Sequence, residues 1–318
     1  MRTITICILF FIPILSFPQK IKLQKVANLP YPINESAGLA LLDSDLIYTM
    51  NDNGGTNQLF GINRYGKMFF ISRIVNVVNN DWEDLAGKHE KIFIGDFGNN
   101  FNLRKDLAIY LFEPQRFAFV DSFTASLISF YYPDQKQFPP SPSNWNFDCE
   151  AFFHHHDSLY LFSKNLSNPN DGYTKMYRLP DEPGNYVAQL TDSFLLNEPV
   201  TSADISPDGK TVVLLSYFSL WIFKNFPVNH FLAGEVFQFP FKGFTQREAI
   251  CFSNDHELLI SDERRFGKGG KLYKIDLNQL NFSQPMKKSQ YQFNKRMIYN
   301  LFNNTKVKYK KIMRESPQ

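Results

Sequence analysis

A unit of three strand-like runs recurs five times between residues 35 and 276, and it constrains this chain more than any other feature. Each copy opens on an acidic residue and a short apolar run: Glu35 to Ala40, Glu83 to Ala86, Glu150 to Phe153, Ala203 to Ile205 and Glu248 to Cys251. A second apolar run ends polar, at Asp52, Asp96, Lys164, Tyr217 and Asp262. A third run follows, at Leu59 to Ile62, Leu107 to Phe112, Met176 to Leu179, Leu220 to Phe223 and Leu272 to Ile275. With Asp204 taken as the fourth start, the starts lie 48, 67, 54 and 44 residues apart. Strand units repeating at this period predict an all-β fold, a β-propeller.

A propeller blade needs four strands. Outer-strand runs precede the later units at Met68 to Val77, Ser126 to Tyr132, Tyr186 to Leu196 and Glu235 to Phe241. Lys20 to Leu29 stands before the first unit. If it serves as the outer strand of the last unit, Glu248 to Asp276, five blades close into a ring without a long free edge. Six blades are the alternative, with residues 284–318 building or completing one. Ser206-Pro207-Asp208-Gly209-Lys210 supplies a strong turn between the first two strands of the fourth unit.

Residues 1–18 read as a signal peptide: Arg2, then an apolar stretch from Ile4 to Phe17, shorter than the roughly 20 residues a membrane span needs. The expectation is an exported chain, periplasmic, surface-bound or secreted, with no membrane span after leader removal. Residues 19–283 form one propeller, and 284–318 a basic extension. The balance of 34 basic against 31 acidic residues gives no case for nucleic acid. Cys149 and Cys251 read as buried free thiols, because a whole blade intervenes between their inner strands and a bridge needs Cα atoms within about 7 Å.

In a propeller the start of the innermost strand and the end of the second strand meet at one face, around the central channel. This gathers Glu35, Asp81, Glu83, Asp148, Glu150, Asp204 and Glu248 with Asp52, Asp96, Lys164, Asp262 and Glu263. Arg247, Arg264 and Arg265 add the few bases. Two unpaired carboxylates about 8 Å apart repel by roughly 2 kcal/mol at an effective dielectric of 20. Such a funnel therefore needs a cation, nearby bases, protons or backbone N–H groups. Hard oxygen ligands suit Ca²⁺, with Glu35, Asp52, Glu83, Glu150 and Glu248 as the candidate metal ligands. The competing reading is that these carboxylates cap strand ends and staple neighbouring blades. The loops Asn51-Asp52-Asn53-Gly54-Gly55 and Gly95-Asp96-Phe97-Gly98-Asn99-Asn100 both belong at the funnel. His154-His155-His156 falls at the opposite face as loop histidines. Gly267 to Lys271 is a hairpin rather than a phosphate loop, since it opens no helix. No nucleophile elbow and no His-Glu-x-x-His motif is present.

Three phrases, Asn51 to Gly55, Asp81-Trp82-Glu83-Asp84-Leu85-Ala86 and Gly95 to Asn100, together resemble exported bacterial propellers distantly similar to phytase-like and esterase-like secreted propellers. The resemblance spans residues 35–276, with its specific motifs in 35–113. It implies a ring of carboxylates around Ca²⁺ and hydrolysis of phosphate esters or lactones. Two functions stay open. One is an exported module binding a small molecule or protein at an acidic funnel, with Ca²⁺ as a candidate structural ion. The other is a Ca²⁺-dependent hydrolase of phosphate or carboxylic esters. There Asp96 or Asp262 would activate water, and Lys164 or Arg264 would steady the anion.

Overall fold

Strand β1 (Gln24–Asn28) comes first, and each later run of apolar alternation becomes a blade strand. Blade one holds β2 (Ser36–Leu41), β3 (Ile47–Asn51), β4 (Gln58–Ile62) and β5 (Met68–Ile74). Blade two holds β6 (Trp82–Lys88), β7 (Lys91–Asp96), β8 (Ala108–Phe112) and β10 (Ser126–Tyr131), while β9 (Ser122–Phe123) pairs in parallel with β5. Blade three holds β11 (Asp148–His155), β12 (Ser158–Lys164), β13 (Tyr173–Pro180) and β15 (Gln189–Leu195). Its β14 (Gly184–Val187) crosses to pair in parallel with β10. Blade four holds β16 (Val200–Ile205), β17 (Thr211–Ser216), β18 (Ser219–Lys224) and β19 (Glu235–Pro240). Blade five holds β20 (Arg247–Asn254), β21 (Glu257–Asp262) and β22 (Lys271–Asp276), and β1 is its fourth strand, antiparallel to β22. This computed structural model describes residues 19–286 apart from 44, 53–55, 89–90, 115–120 and 266. Residues 1–18, where a leader is expected, the Asn53-Gly54-Gly55 tip and residues 287–318 lie outside the described residues.

The fold is thus all-β, a propeller of five blades. The inner strands β2, β6, β11, β16 and β20 neighbour one another in a closed circle. The apolar core is split accordingly into five clusters, one at each blade-to-blade interface. Aromatic rings fill these seams: Phe97 meets Phe152 edge-on at 5.1 Å, and Phe194 meets Phe223 at 5.1 Å. Rigid, large side chains suit a wedge between two twisted sheets.

Every inner strand carries one register shift near its start. The extra residue is Gly38, Glu83, Glu150, Thr201 and Glu248 in blades one to five. A bulge bends its strand and re-aims one side chain. These five residues are therefore the equivalent positions, and two starts taken from the acidic repeat need correction. Glu35 lies three residues before the bulge of blade one, where Gly38 stands at φ +64, and a Cβ on Gly38 would strike the backbone of Leu85. Asp204 lies three residues after the bulge of blade four. Its Oδ2 accepts the Phe252 N–H at 2.7 Å, below the funnel.

Just beneath the bulges polar contacts link inner strands of four blades across the ring. The Asp84 carboxylate accepts from Leu85 N (2.9 Å), Phe152 N (3.2 Å) and Ser202 Oγ (3.1 Å). Ser202 Oγ accepts in turn from Ile250 N at 3.1 Å. Blades two, three, four and five meet at this knot, which makes a floor for the funnel above it.

Cys149 and Cys251 are buried free thiols, and burial raises the pKa of both. A thiol reagent should leave both unmodified in the native protein and label both in denaturant, as read by peptide mapping. A disulfide-linked peptide pair would contradict this.

Candidate functional site

Three carboxylates converge above the floor. Asp52 follows β3, Asp81 precedes β6, and Glu83 is the bulged residue of β6. One oxygen from each lies within 4.8 Å of the other two. Glu83 is only 8% exposed. Burial raises its pKa well above the usual carboxylate range, and the neighbours that raise it further are Asp52, Glu150, Asp81 and Asp148. Burial also lifts Asp81 to about 6, with Arg104 opposing it. Its Oδ1 is buried with no hydrogen-bond partner among the described residues. Gly98 completes the corner. A Cβ there would collide with the carboxylates of both Glu83 and Asp81, so only glycine leaves them this room.

The opposite wall is better balanced. Lys164, at the end of β12, pairs with Glu150 and stands 3.4 Å from the Tyr217 hydroxyl. Tyr217 donates to Glu248 at 3.0 Å, and Gln246 donates to the same oxygen at 2.8 Å. Burial works against the charge of Lys164, but Glu150, Tyr217 and Glu248 outweigh it and hold the lysine protonated. Glu263 pairs with Arg265 at 2.7 Å. Burial and the nearby Glu248 still push it up to about 9. Between the two walls Asp148 accepts from Asn99 N at 2.6 Å, while its Oδ2 is buried without a partner among the described residues. Burial lifts Asp148 to about 7 against the pull of Lys164.

Of the candidates read from sequence, Asp52, Glu83, Glu150, Glu248 and Lys164 meet in this funnel. Glu35 stands exposed at its rim, within electrostatic range of Glu263. Asp96 and Asp262 do not join the group. Each sits one position before Phe97 or Glu263, and strand alternation turns it the other way. Asp96 pairs with Arg104 at 2.9 Å and accepts from the Tyr110 hydroxyl at 3.3 Å and Asp81 N at 3.1 Å. Asp262 accepts from the Tyr273 hydroxyl at 2.8 Å and Lys271 N at 2.9 Å. Both are strand-end staples, and Asp96 also fixes the backbone of Asp81. Arg264 turns outward to the Leu29 carbonyl at 2.8 Å, and its neighbour Arg265 faces the funnel instead. Arg247 is spent on the carbonyls of Tyr217 and Gly243 and lies over the Phe241 ring. At the far face His154 pairs with Asp181 at 3.0 Å. Tyr217 carried no acidic signal in the repeat, yet it occupies the same position as Lys164 and Glu263 at the end of a second strand.

No protein-family model and no curated protein sequence matches the chain. Solved structures do match in shape. The PQQ-bound aldose sugar dehydrogenase of Streptomyces coelicolor aligns at TM-score 0.50 and 10% identity, over 82% of this chain and 99% of that one. A protein described as a gluconolactonase aligns at TM-score 0.44 and 9% identity, over 78% and 76% of the two chains. A protein from Bacteroides uniformis described as a 6-phosphogluconolactonase aligns at TM-score 0.41 and 10% identity, over 74% and 68%. The class the fold defines is a five-bladed β-propeller.

Proposed function

We propose that this chain is an exported propeller that binds a divalent cation, Ca²⁺ by the chemistry of its donors, and presents it to a ligand in the funnel. The observation that carries this reading is the Asp52, Asp81 and Glu83 corner. Three carboxylate oxygens approach one another over a glycine. Arg104, the base that acts most on Asp81, is paired with Asp96 and Asp106, and Lys164 and Arg265 are engaged with Glu150 and Glu263. Ca²⁺ takes 6–8 oxygen ligands at 2.3–2.6 Å in flexible arrangements. Three carboxylates from the protein would leave the remaining positions to water and to oxygens of the ligand. The leader expected at residues 1–18 would deliver the site to a Ca²⁺-rich compartment. Metal analysis of the purified protein should find close to one Ca²⁺ per chain, removable by chelator. A protein that takes up no divalent cation at millimolar Ca²⁺ would sink the reading.

A hydrolase is the second reading, and Asp148 favours it. This carboxylate has one uncommitted oxygen and a pKa near neutrality, and it lies within electrostatic range of Asp81 and Lys164. A base so poised could take a proton from an attacking water, whose acidity a bound cation would raise. Asp148→Asn should then abolish chelator-sensitive ester hydrolysis while Ca²⁺ uptake persists.

The pH dependence of cation uptake follows from the same groups. Asp81, Asp148 and Glu263 have pKa values in the folded state near 6, 7 and 9, all above their unfolded values. Protons therefore stabilise the cation-free protein most at low pH, and that stabilisation is lost as pH rises through those values. Ca²⁺ replaces protons at the corner, so its affinity should rise from pH 5 to pH 8 with proton release. Calorimetry in buffers of different ionisation enthalpy reads this directly. An affinity independent of pH over that range would contradict it.

A further inference from the structure

We propose that the acidic funnel is the docking site of this chain's own basic segment, residues 287–318. Residues 287–318 hold nine of the chain's 34 basic residues and one of its 31 acidic ones. Residues 1–286 are left with 25 basic against 30 acidic. The basic residues are interleaved with Tyr291, Phe293, Tyr299, Phe302 and Tyr309, so the segment pairs positive charge with aromatic surface.

The funnel face is complementary in both respects. Its wall carries Asp52, Asp81, Glu83, Asp148, Glu150, Glu248 and Glu263 against Lys164 and Arg265. Around the mouth runs an apolar collar. Tyr31 lies in the loop entering β2, Val75 and Val78 in the loop entering β6, and Phe101 and Leu103 in the β7–β8 loop. Phe244 lies in the loop entering β20, and all six side chains are exposed. Loops at the opposite face expose only Tyr65 and Val228 among the large apolar side chains described. An apolar collar of this kind on one face of a propeller marks an interaction surface.

The tether reaches. Met286 N donates to Val236 O at 2.7 Å, so the segment leaves from the edge of blade four. Its 32 residues span up to about 100 Å when extended at roughly 3.3 Å per residue. Climbing one blade edge takes about 20 Å, and crossing to the central axis about as much again. A tethered segment acts at a millimolar effective concentration. If it holds the funnel with a dissociation constant of about 0.1 mM, it weakens a competing cation roughly tenfold.

The proposal rests on the funnel's acidity rather than on the cation corner, and its primary test needs no metal. The full chain is treated at low salt, in chelator, with a zero-length carbodiimide that joins lysine amines to carboxylates. Peptide mapping should find Lys306, Lys308, Lys310 or Lys311 joined within one chain to Glu35, Asp52 or Asp81. Raising ionic strength should suppress these links, because screening shortens the reach of charge to about 8 Å at physiological salt. Links confined to other faces, or found only between two chains, would overturn the proposal. So would capture of the segment by anionic phosphatidylserine vesicles with no link to the funnel. As a second readout, Lys306→Glu, Lys308→Glu, Lys310→Glu and Lys311→Glu together should tighten Ca²⁺ binding about tenfold, leaving the folded domain untouched. Unchanged affinity beside unlinked peptides refutes docking, whereas links without any Ca²⁺ binding refute only the cation reading.

Discussion

Asp84→Ala should destabilise the ring by about 3–5 kcal/mol. Asp84 is fully buried at the floor of the funnel and accepts from two backbone N–H groups and the Ser202 hydroxyl. Two of those donors belong to blades three and four, so the carboxylate ties three blades across the axis. Removing it strands three buried donors, each costing about 1–3 kcal/mol, with some recovered by relaxation or an entering water. For a domain of this size each kcal/mol moves the melting temperature by about 2–4 °C, so the drop should be near 10 °C. Asp43→Ala serves as the control. Asp43 caps an exposed turn by accepting from Asp45 N and Leu46 N, and its loss should cost about 1 kcal/mol or less. A fall at Asp84→Ala no larger than at Asp43→Ala would show that the floor is not a structural knot.

Ca²⁺ should produce the second large effect, in the opposite direction. At 100 times its dissociation constant a ligand that binds only the folded state adds about 2.7 kcal/mol. The melting temperature should rise by about 5–10 °C at pH 8. Asp81→Asn with Glu83→Gln keeps the shape and removes two carboxyl groups from the corner, so the gain should vanish. Without Ca²⁺ this double variant should be at least as stable as the parent at pH 8, because burial and the neighbours Asp52, Glu150, Asp81 and Asp148 all disfavour charge on Glu83. At pH 5 the parent's carboxyls take up protons instead, and the Ca²⁺ gain should shrink toward zero. A double variant that still gains stability from Ca²⁺ would move the site elsewhere in the funnel.

The architecture was legible because it is repeated. Five units and their outer strands each bury a seam, and a strand pattern that recurs has few ways to close. The crowding of carboxylates at one face was legible for the same reason, since strand starts and ends must alternate between faces. Finer geometry was hidden where it depends on a single-residue shift. An acidic residue beside an apolar run marks three of the inner strands correctly. In blade four it points to Asp204, although the bulge falls at Thr201. In blade one the bulge needs a positive φ and carries Gly38, which has no charge to announce it. The parity of the second-strand ends was equally hidden. Asp96 and Asp262 look like funnel residues by composition, yet one step of alternation turns them to Tyr110 and Tyr273. The choice between Arg264 and Arg265 is set by the loop that returns through Gly269 and Gly270, and no local pattern encodes it. Tyr217 was overlooked because a hydroxyl does not stand out in a search for charge.

The most direct test of the cation-binding account is diffraction from crystals grown with Ca²⁺, recorded at a wavelength where calcium scatters anomalously. The account predicts one peak in the funnel, 2.3–2.6 Å from carboxylate oxygens of Asp52, Asp81 and Glu83, and its disappearance in the Asp81→Asn, Glu83→Gln variant. A funnel with no anomalous peak at millimolar Ca²⁺, or a peak held by other residues, would contradict it.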